Sequence, residues 1–304
     1  MVKTTIITAT FNQLELSQAY WKSLQQNPPE TPWEIIWVDD CSSDGTRDWL
    51  EANKTDNFRV VLNSQNQGYA ANNNLGAKMA RGSILCLLNN DTVLTPNWFP
   101  PMLEAVNHPP QAGVVGNVQT QVDSGLIDHA GMGFNLIGDT IHPHKGLNRS
   151  KLYGTGAHYN AVTAACWLIQ KDTFLSLGGF DTAYRNGYED VDFCLKAGSK
   201  GLKHWVCYNS CIGHHVSASR GKSPRLDPNR ALFLKRWSHL TRELGETDWP
   251  TYYLKHLLRH PDQFNPVKAT DALLRRVRLR SGDSKWAKRL RDSIIQPSDQ
   301  STCV

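Results

Sequence analysis

Polar and apolar positions alternate along the first hundred residues in blocks that switch between two periods. Thr4–Thr10 is a β-branched run with no helical spacing, so it reads as a buried strand, and Leu14–Leu24 then repeats its apolar positions at helical intervals. Glu34–Val38 is a second strand. Ser42, Ser43 and Asp44 offer helix caps before a helix at Thr46–Ala52. Arg59–Leu62 is a third strand, Ala70–Ala80 a helix, Ile84–Leu88 a fourth strand, and Pro96 opens another helix. Strands alternating with helices predict βαβ units and a mostly parallel sheet, in which ligands bind beyond the carboxyl ends of the strands. A polar cluster follows each strand: Thr8–Asn12, Asp39–Asp44, Asn63–Asn74 and Asn89–Asp91. Ordinary loop composition accounts for one such cluster and poorly for four in a row.

The pattern weakens over Asp123–Tyr159, which is rich in Gly, His and Asn and reads as loops and short strands. Asn160–Gln170 is an apolar run expected to be a strand, Gly178–Asp181 a turn, and Tyr188–Asp192 the opening of a helix. Lys203–Tyr208 is a strand leading to Gly213-His214-His215. Beyond Pro224 the pattern is helical to about Ile295, with interruptions expected at Pro250, Pro261 and Pro266, and Pro297–Val304 is expected to fray. The domain division expected is 1–225 for the α/β part and 226–304 for a helical, basic extension.

Composition narrows the picture. The chain has 304 residues, 40% hydrophobic and 20% charged, which suits a globular α/β domain with an appendage. Of the net charge of +5, most resides in the tail. Lys268, Arg275, Arg276, Arg278, Arg280, Lys285, Lys288, Arg289 and Arg291 face only Asp271 and Asp283 between residues 268 and 291. Seven cysteines without framework spacing argue against a disulfide scaffold, and Cys207 and Cys211 lack the second pair that a structural zinc needs. No apolar run reaches the ~18 residues of a membrane helix, and no secretory leader opens the chain. The expectation is a soluble protein of a reducing, cytoplasmic compartment, peripheral to the inner membrane if the tail binds lipid.

Six segments in order resemble the motif series of family 2 inverting glycosyltransferases of GT-A fold, over roughly residues 3–220. They are Ile6–Asn12, Val38–Thr46, Asn66–Asn73, Leu88–Asp91, Gly178–Asp181 and Tyr188–Phe193. The resemblance is nearest to bacterial rhamnosyltransferase-like members that build cell-surface polysaccharides. It implies a Rossmann-like, nucleotide-binding sheet. It also implies transfer of a sugar from a UDP- or dTDP-linked donor to a hydroxyl of a saccharide or lipid-linked acceptor. Asp40 then accepts from the imide N–H of a uracil-type base, with Thr8, Thr10, Asn12, Asn66 and Asn90 also on the donor nucleotide. The alternative for Asp40 is a turn cap with Ser42 and Ser43.

A divalent cation, Mn²⁺ or Mg²⁺, is expected to stabilise the departing diphosphate. The family's Asp-x-Asp-type motif is Asn89-Asn90-Asp91 here, so Asp91 is its one anionic ligand. His214, placed by alignment on Ser217 and Ser219, is the second candidate ligand, against the alternative that it caps a strand end. Asp190 matches the family base, with Glu189 beside it. The alternative reads the acids of this stretch as favourable charges on a helix N-terminus. Ala164–Cys166 matches the acceptor border, giving Ala165 and Trp167, with Glu189, as acceptor-side residues; core burial is the alternative for Trp167.

The basic tail is read either as an amphipathic helix on an anionic inner leaflet or as a packed helix or dimer contact with a solvated basic face. Nucleic acid is not expected, since no aromatic platform interleaves the charges. A dinucleotide oxidoreductase would need Gly-x-Gly-x-x-Gly after the first strand, where Ala9-Thr10-Phe11-Asn12-Gln13 stands. A nucleotidyltransferase would carry a Gly-rich, Arg-containing first loop. A non-catalytic sugar-nucleotide binder is the remaining alternative, favoured by Asn89 and opposed by Asp190.

Overall fold

The computed structural model describes residues 2–108, 112–215 and 228–295. It divides into two compact units, residues 1–131 with 144–220, and residues 132–143 with 221–304. The short segment 132–143 thus clusters with the C-terminal helices although it lies in the middle of the chain.

The chain begins β1 (Thr4–Thr10), α1 (Leu14–Gln26), β2 (Trp33–Asp39), α2 (Thr46–Ala52), β3 (Phe58–Leu62), α3 (Tyr69–Met79) and β4 (Ile84–Leu88). These elements fall within a residue or two of the positions that periodicity predicts. β5 (Thr92–Leu94) and α4 (Pro100–Asn107) follow. The helix expected at Pro96 starts instead at Pro100, because Trp98 and Phe99 are drawn into the core and the chain must turn before it can coil.

β6 (Ala112–Gln121) and β7 (Ile127–His129) complete the first stretch, β8 (Gly133–Phe134) and β9 (Thr140–Ile141) lie in the second unit, and β10 (Gly156–Tyr159) returns to the first. The strand expected over Asn160–Gln170 is only its second half, β11 (Cys166–Gln170), and residues 160–165 form a turn. α5 (Lys171–Ser176) and α6 (Glu189–Ser199) precede β12 (Lys203–His214), which runs six residues beyond the expected Tyr208.

The sheet of the first unit runs β10-β12-β6-β11-β4-β1-β2-β3, with β5 on β12 and β7 on β6. β3, β2, β1 and β4 are parallel. β11 is antiparallel to both β4 and β6, so β6 and its parallel neighbour β12 resume the direction of the first four. Strand order reverses beside β1, which lies between β2 and β4. This is the switch point where a doubly wound sheet opens a crevice.

Burial explains the apolar runs. β1, β2 and β4 are covered on both faces, and Tyr20, Trp21, Trp37, Trp49 and Phe58 meet mostly edge to face beneath them. At the amino ends of these strands Glu34 is wholly buried, with both carboxylate oxygens hydrogen-bonded. Its carboxylate accepts from Thr5 Oγ1 (2.9 Å), the Arg81 backbone N–H (2.7 Å) and Arg59 Nη1 (3.1 Å).

His204, near the start of β12, is also buried. Its Nδ1 accepts from the Val114 N–H at 3.0 Å, so the proton is on Nε2, which donates to the Cys194 carbonyl at 2.9 Å. Burial, with a smaller contribution from His158, pushes its pKa down to about 4, despite the opposing bond to Cys194.

In the second unit α7 (Pro228–Leu257), α8 (Pro266–Arg276) and α9 (Lys285–Ile295) follow. The break expected at Pro250 does not occur: α7 continues through it, with Pro250 itself buried. Breaks do fall at the short 3-10 turn Pro261–Gln263 and before Pro266, which takes the first position of α8 and needs no N–H there. Leu136, Ile137, Trp249, Tyr253, Ala269, Ala272 and Ala287 make a small core. Asp271 knots α8 to α9 by accepting from Arg275 Nε (3.0 Å), Trp286 Nε1 (3.0 Å) and Ser284 Oγ. Among the described residues no helix is long and apolar enough to cross a membrane.

Candidate active site

The carboxyl ends of β1, β2 and β4 are stitched together by short polar side chains. After β2, Asp39 closes its own turn by accepting from the N–H groups of Cys41 and Ser42, both at 3.1 Å, and from Arg47. Asp40 reaches across to the next loop instead. Its Oδ1 accepts from Gln67 N (2.7 Å) and Asn63 Nδ2 (3.2 Å), and its Oδ2 accepts from Gly68 N (2.9 Å). The cap is therefore on the start of α3, not on Ser42 and Ser43. A carboxylate has about four acceptor positions, and three are occupied here.

The β1 loop is tied to the same place. Asn12 N donates to Ser42 Oγ at 2.7 Å, and Ser43 N donates to Asn12 Oδ1 at 2.8 Å. Asn66 donates to the Asp40 carbonyl and accepts from Arg185 Nη2.

Tyr69, the first residue of α3, sits at the middle of the site. Its hydroxyl lies 3.0 Å from both Asn89 Oδ1 and the Ala164 carbonyl. Burial first, and then the charges of Glu189, Asp190 and Asp91, push its pKa well above the ordinary value. Those three carboxylates, from β4's end and the start of α6, thus all act electrostatically on one phenol. Asp190 accepts from Ala164 N through Oδ2 (3.1 Å) and from Val191 N through Oδ1 (2.8 Å), which fixes its carboxylate at the 160–165 turn. Glu189 is buried and accepts from Gly187 N at 2.6 Å. Asp40, Tyr69, Asn89, Ala164 and Asp190 are thus linked residue by residue along one rim.

Asp91 lies next to β5, whose pairing with β12 sets Thr92 opposite His214. His214 Nε2 is 3.3 Å from Asp91 Oδ1, and its Nδ1 is 3.7 Å from Asp128 Oδ2, an ion pair too long for a hydrogen bond. Burial disfavours charge on the ring, but Asp128 and Asp91 outweigh it and push the pKa up to about 9. Burial also opposes ionisation of Asp128, yet His214 and Lys145, 2.5 Å away, hold its carboxyl well below the usual range. Among the described residues Asp91 Oδ1 and His214 Nδ1 are buried with no hydrogen-bond partner. Asp91 Oδ1 and the imidazole Nε2 that faces it are the donor types a divalent cation takes. No three His, Cys, Asp or Glu side chains stand together as a ligand set among the described residues. Protein ligation would be completed by phosphate and water, as is usual for Mg²⁺.

Three expected site residues are buried. Thr8 is wholly buried and bonds Tyr20 at 2.9 Å, so its hydroxyl is taken up within the core. Thr10 is 3% exposed, with its hydroxyl held between the Asn12 carbonyl and Asn90 Nδ2, and it fixes the loop. Trp167 is 0% exposed, packed on Phe180 and Phe193, with its Nε1 on the Val162 carbonyl; a ring with no free face cannot stack on a sugar. Ala165 is also buried, and its carbonyl accepts from Asn89 N to pin β4's end to β11. Asn90 is half-buried and donates to Thr10 and Ser17. Ser217 and Ser219, used to align His214, lie outside the described residues. Tyr69, Asn74 and Asp128 were not anticipated. Asn74 makes a two-bond clasp with the Phe180 backbone, 2.8 Å each way, and holds the turn that leads to Asp190.

The sheet order with this rim at its switch point places the chain in the GT-A fold class. The full chain aligns at TM-score 0.64 with a crystal structure of GalNAc-T7 with UDP, GalNAc and Mn²⁺, at 15% identity over 98% of this chain and 58% of that one. Residues 5–174 match glycosyl transferase family 2, and the chain belongs to that family. It is 32% identical over 159 residues to the O-antigen biosynthesis protein RfbC of Myxococcus xanthus, covering 50% of this chain and 12% of that protein. It is 24% identical over 217 residues to the N-acetylglucosaminyl-diphospho-decaprenol L-rhamnosyltransferase of Mycobacterium tuberculosis, covering 64% of this chain and 70% of that one. The chain spans 28% and 12% of the length of two of the curated relatives it matches, RfbC being the second.

Proposed function

We propose that the protein transfers a sugar, with inversion, from a UDP- or dTDP-linked donor to a hydroxyl of a saccharide or lipid-linked acceptor in cell-surface polysaccharide synthesis. The hydrogen-bonded rim that runs from the Asp40 clamp at the start of α3 through Tyr69 and Ala164 to Asp190 carries this reading. Similarity to the M. xanthus O-antigen biosynthesis protein and the M. tuberculosis decaprenol-linked rhamnosyltransferase supports the polysaccharide setting and the lipid-linked acceptor.

Asp40 would use its remaining Oδ2 position for the base N–H, with Asn12, Asn66 and Asn90 around the nucleotide. Mn²⁺ or Mg²⁺, held by Asp91 and His214, would stabilise charge on the departing diphosphate. Asp128 and Lys145 hold His214 from behind. Asp190 takes the acceptor O–H proton as that oxygen bonds to the anomeric carbon and the bond from that carbon to the diphosphate oxygen breaks. Glu189 borders the acceptor side. The division into a 1–225 catalytic part and a 226–304 extension is retained as a proposal, with residues 132–143 belonging to the extension's unit.

Thermal-shift screening of UDP-, dTDP- and GDP-sugars with and without Mn²⁺ tests the donor, because a ligand of the folded state raises Tm by mass action. One nucleotide should stand out, and only with metal. Flat responses to all donors would overturn the reading in favour of a non-nucleotide ligand. Binding without turnover would favour the non-catalytic binder.

A further inference from the structure

α8 is packed inside out. Its buried side carries Ala269, Asp271, Ala272 and Arg275, while Val267, Leu273 and Val277 at its C-cap are 62%, 55% and 61% exposed. At 100° per residue these three and half-buried Leu274 share one face about 120° wide. Phe264 before the helix and Leu279 after it are more than half exposed as well. Scattered exposed apolar residues need no explanation, but a continuous row opposite a buried Asp–Arg pair does.

Charge around the row has one sign. Arg275 and Arg280 are engaged by Asp271, and Arg291 by Asp283. Arg276, Arg278, Lys285, Lys288 and Arg289 form no ion pair among the described residues and are exposed. The surface thus asks at once for an apolar and an anionic occupant. A protein patch rarely offers acids interleaved with a flat apolar layer, whereas an anionic bilayer offers headgroup charge above acyl chains.

We propose that the exposed face of α8, with the basic residues flanking it and those of α9, docks on an anionic lipid bilayer. Val267, Leu273 and Val277 enter the headgroup–acyl boundary, and Arg276, Arg278, Lys285, Lys288 and Arg289 meet the headgroups. The docking is independent of the transfer reaction and is measured without donor or acceptor.

Full-length protein is co-sedimented with phosphatidylcholine vesicles and with vesicles containing phosphatidylglycerol, at low and high salt. Binding is expected to the anionic vesicles alone and to weaken with salt. Arg276→Ser with Arg278→Ser should lower the partition coefficient at least about tenfold, since each basic residue near the surface is worth about fivefold. Leu273→Ser with Val277→Ser should lower it comparably, with Tm unchanged because both side chains face solvent. Absence of binding to either vesicle, or binding that both variants retain, overturns the proposal. So does a concentration-dependent dimer in lipid-free sedimentation velocity that the Leu273→Ser, Val277→Ser variant abolishes, which would assign the face to a second copy of the chain.

Discussion

The two rims of the sheet both bury carboxylates and treat them in opposite ways. At the amino ends of the strands both carboxylate oxygens of Glu34 are hydrogen-bonded within the chain, by Thr5, Arg59 and the Arg81 backbone. At the carboxyl ends Asp40 and Asp190 are held by backbone N–H groups, while Asp91 Oδ1 and His214 Nδ1 are left without hydrogen bonds among the described residues. A buried charge completed by its own chain stabilises the fold. One left incomplete is a cost that a ligand can relieve, so incompleteness separates the two rims better than burial or charge does.

Removing the base should give the largest effect at the incomplete rim. Asp190→Asn is isosteric and should lower kcat by about 10³-fold or more while leaving the nucleotide-induced Tm shift in place. Turnover equal to wild type would remove Asp190 from the chemistry. At the amino-end rim, Glu34→Ala takes the acceptor from Thr5 Oγ1 and the Arg81 N–H and the carboxylate from Arg59, and should destabilise the protein by about 3–5 kcal/mol in urea denaturation, with donor affinity of the folded fraction unchanged. A larger loss of donor affinity than of stability would erase the contrast.

His204 gives a contrast in pH. Its folded pKa of about 4 lies below the ordinary 6.5, so between these values the unfolded chain binds a proton that the folded chain refuses. Stability from this residue is complete above pH 6.5 and is lost as pH falls toward 4, by up to about 3 kcal/mol. Urea midpoints from pH 7 to 4 measure it, and His204→Gln should flatten the slope. Asp128→Asn should have the smallest effect, weakening Mn²⁺-dependent donor binding by about tenfold, because it acts through the residue that would hold the metal. Titration calorimetry with and without Mn²⁺ would show whether the loss is confined to the metal-dependent part.

Much of the first unit is legible before folding because its parallel strands are apolar throughout and each ends in a polar cluster. β1, α2 and β4 fall where the pattern places them. β6 is not legible, since Asn117 and Gln119 are buried within it and break the apolar run, with Asn117 Nδ2 donating to Ser210, 93 residues away. Thr8, Thr10 and Trp167 misled for a related reason: a motif marks a neighbourhood, but burial decides which of its members reach solvent. Asp128 and Lys145 carry no local signal, because only the fold brings Asp128, on β7, to His214 and Lys145 to Asp128. Pro250 within α7 shows tertiary packing overriding a breaker, and the apolar face of α8 shows a helix whose outward side cannot be told from its inward side by periodicity alone.

Gly68 has a practical consequence for anyone recombining these enzymes. Its φ is +86°, a Cβ there would lie 2.5 Å from the Arg185 carbonyl oxygen, and the next N–H, that of Tyr69, donates to the same oxygen. The loop that Asp40 clamps and the loop that leads to Asp190 are therefore cut to each other's backbone. Chimaeras that exchange residues 63–74 alone would mismatch this joint; the two segments have to be swapped as a matched pair.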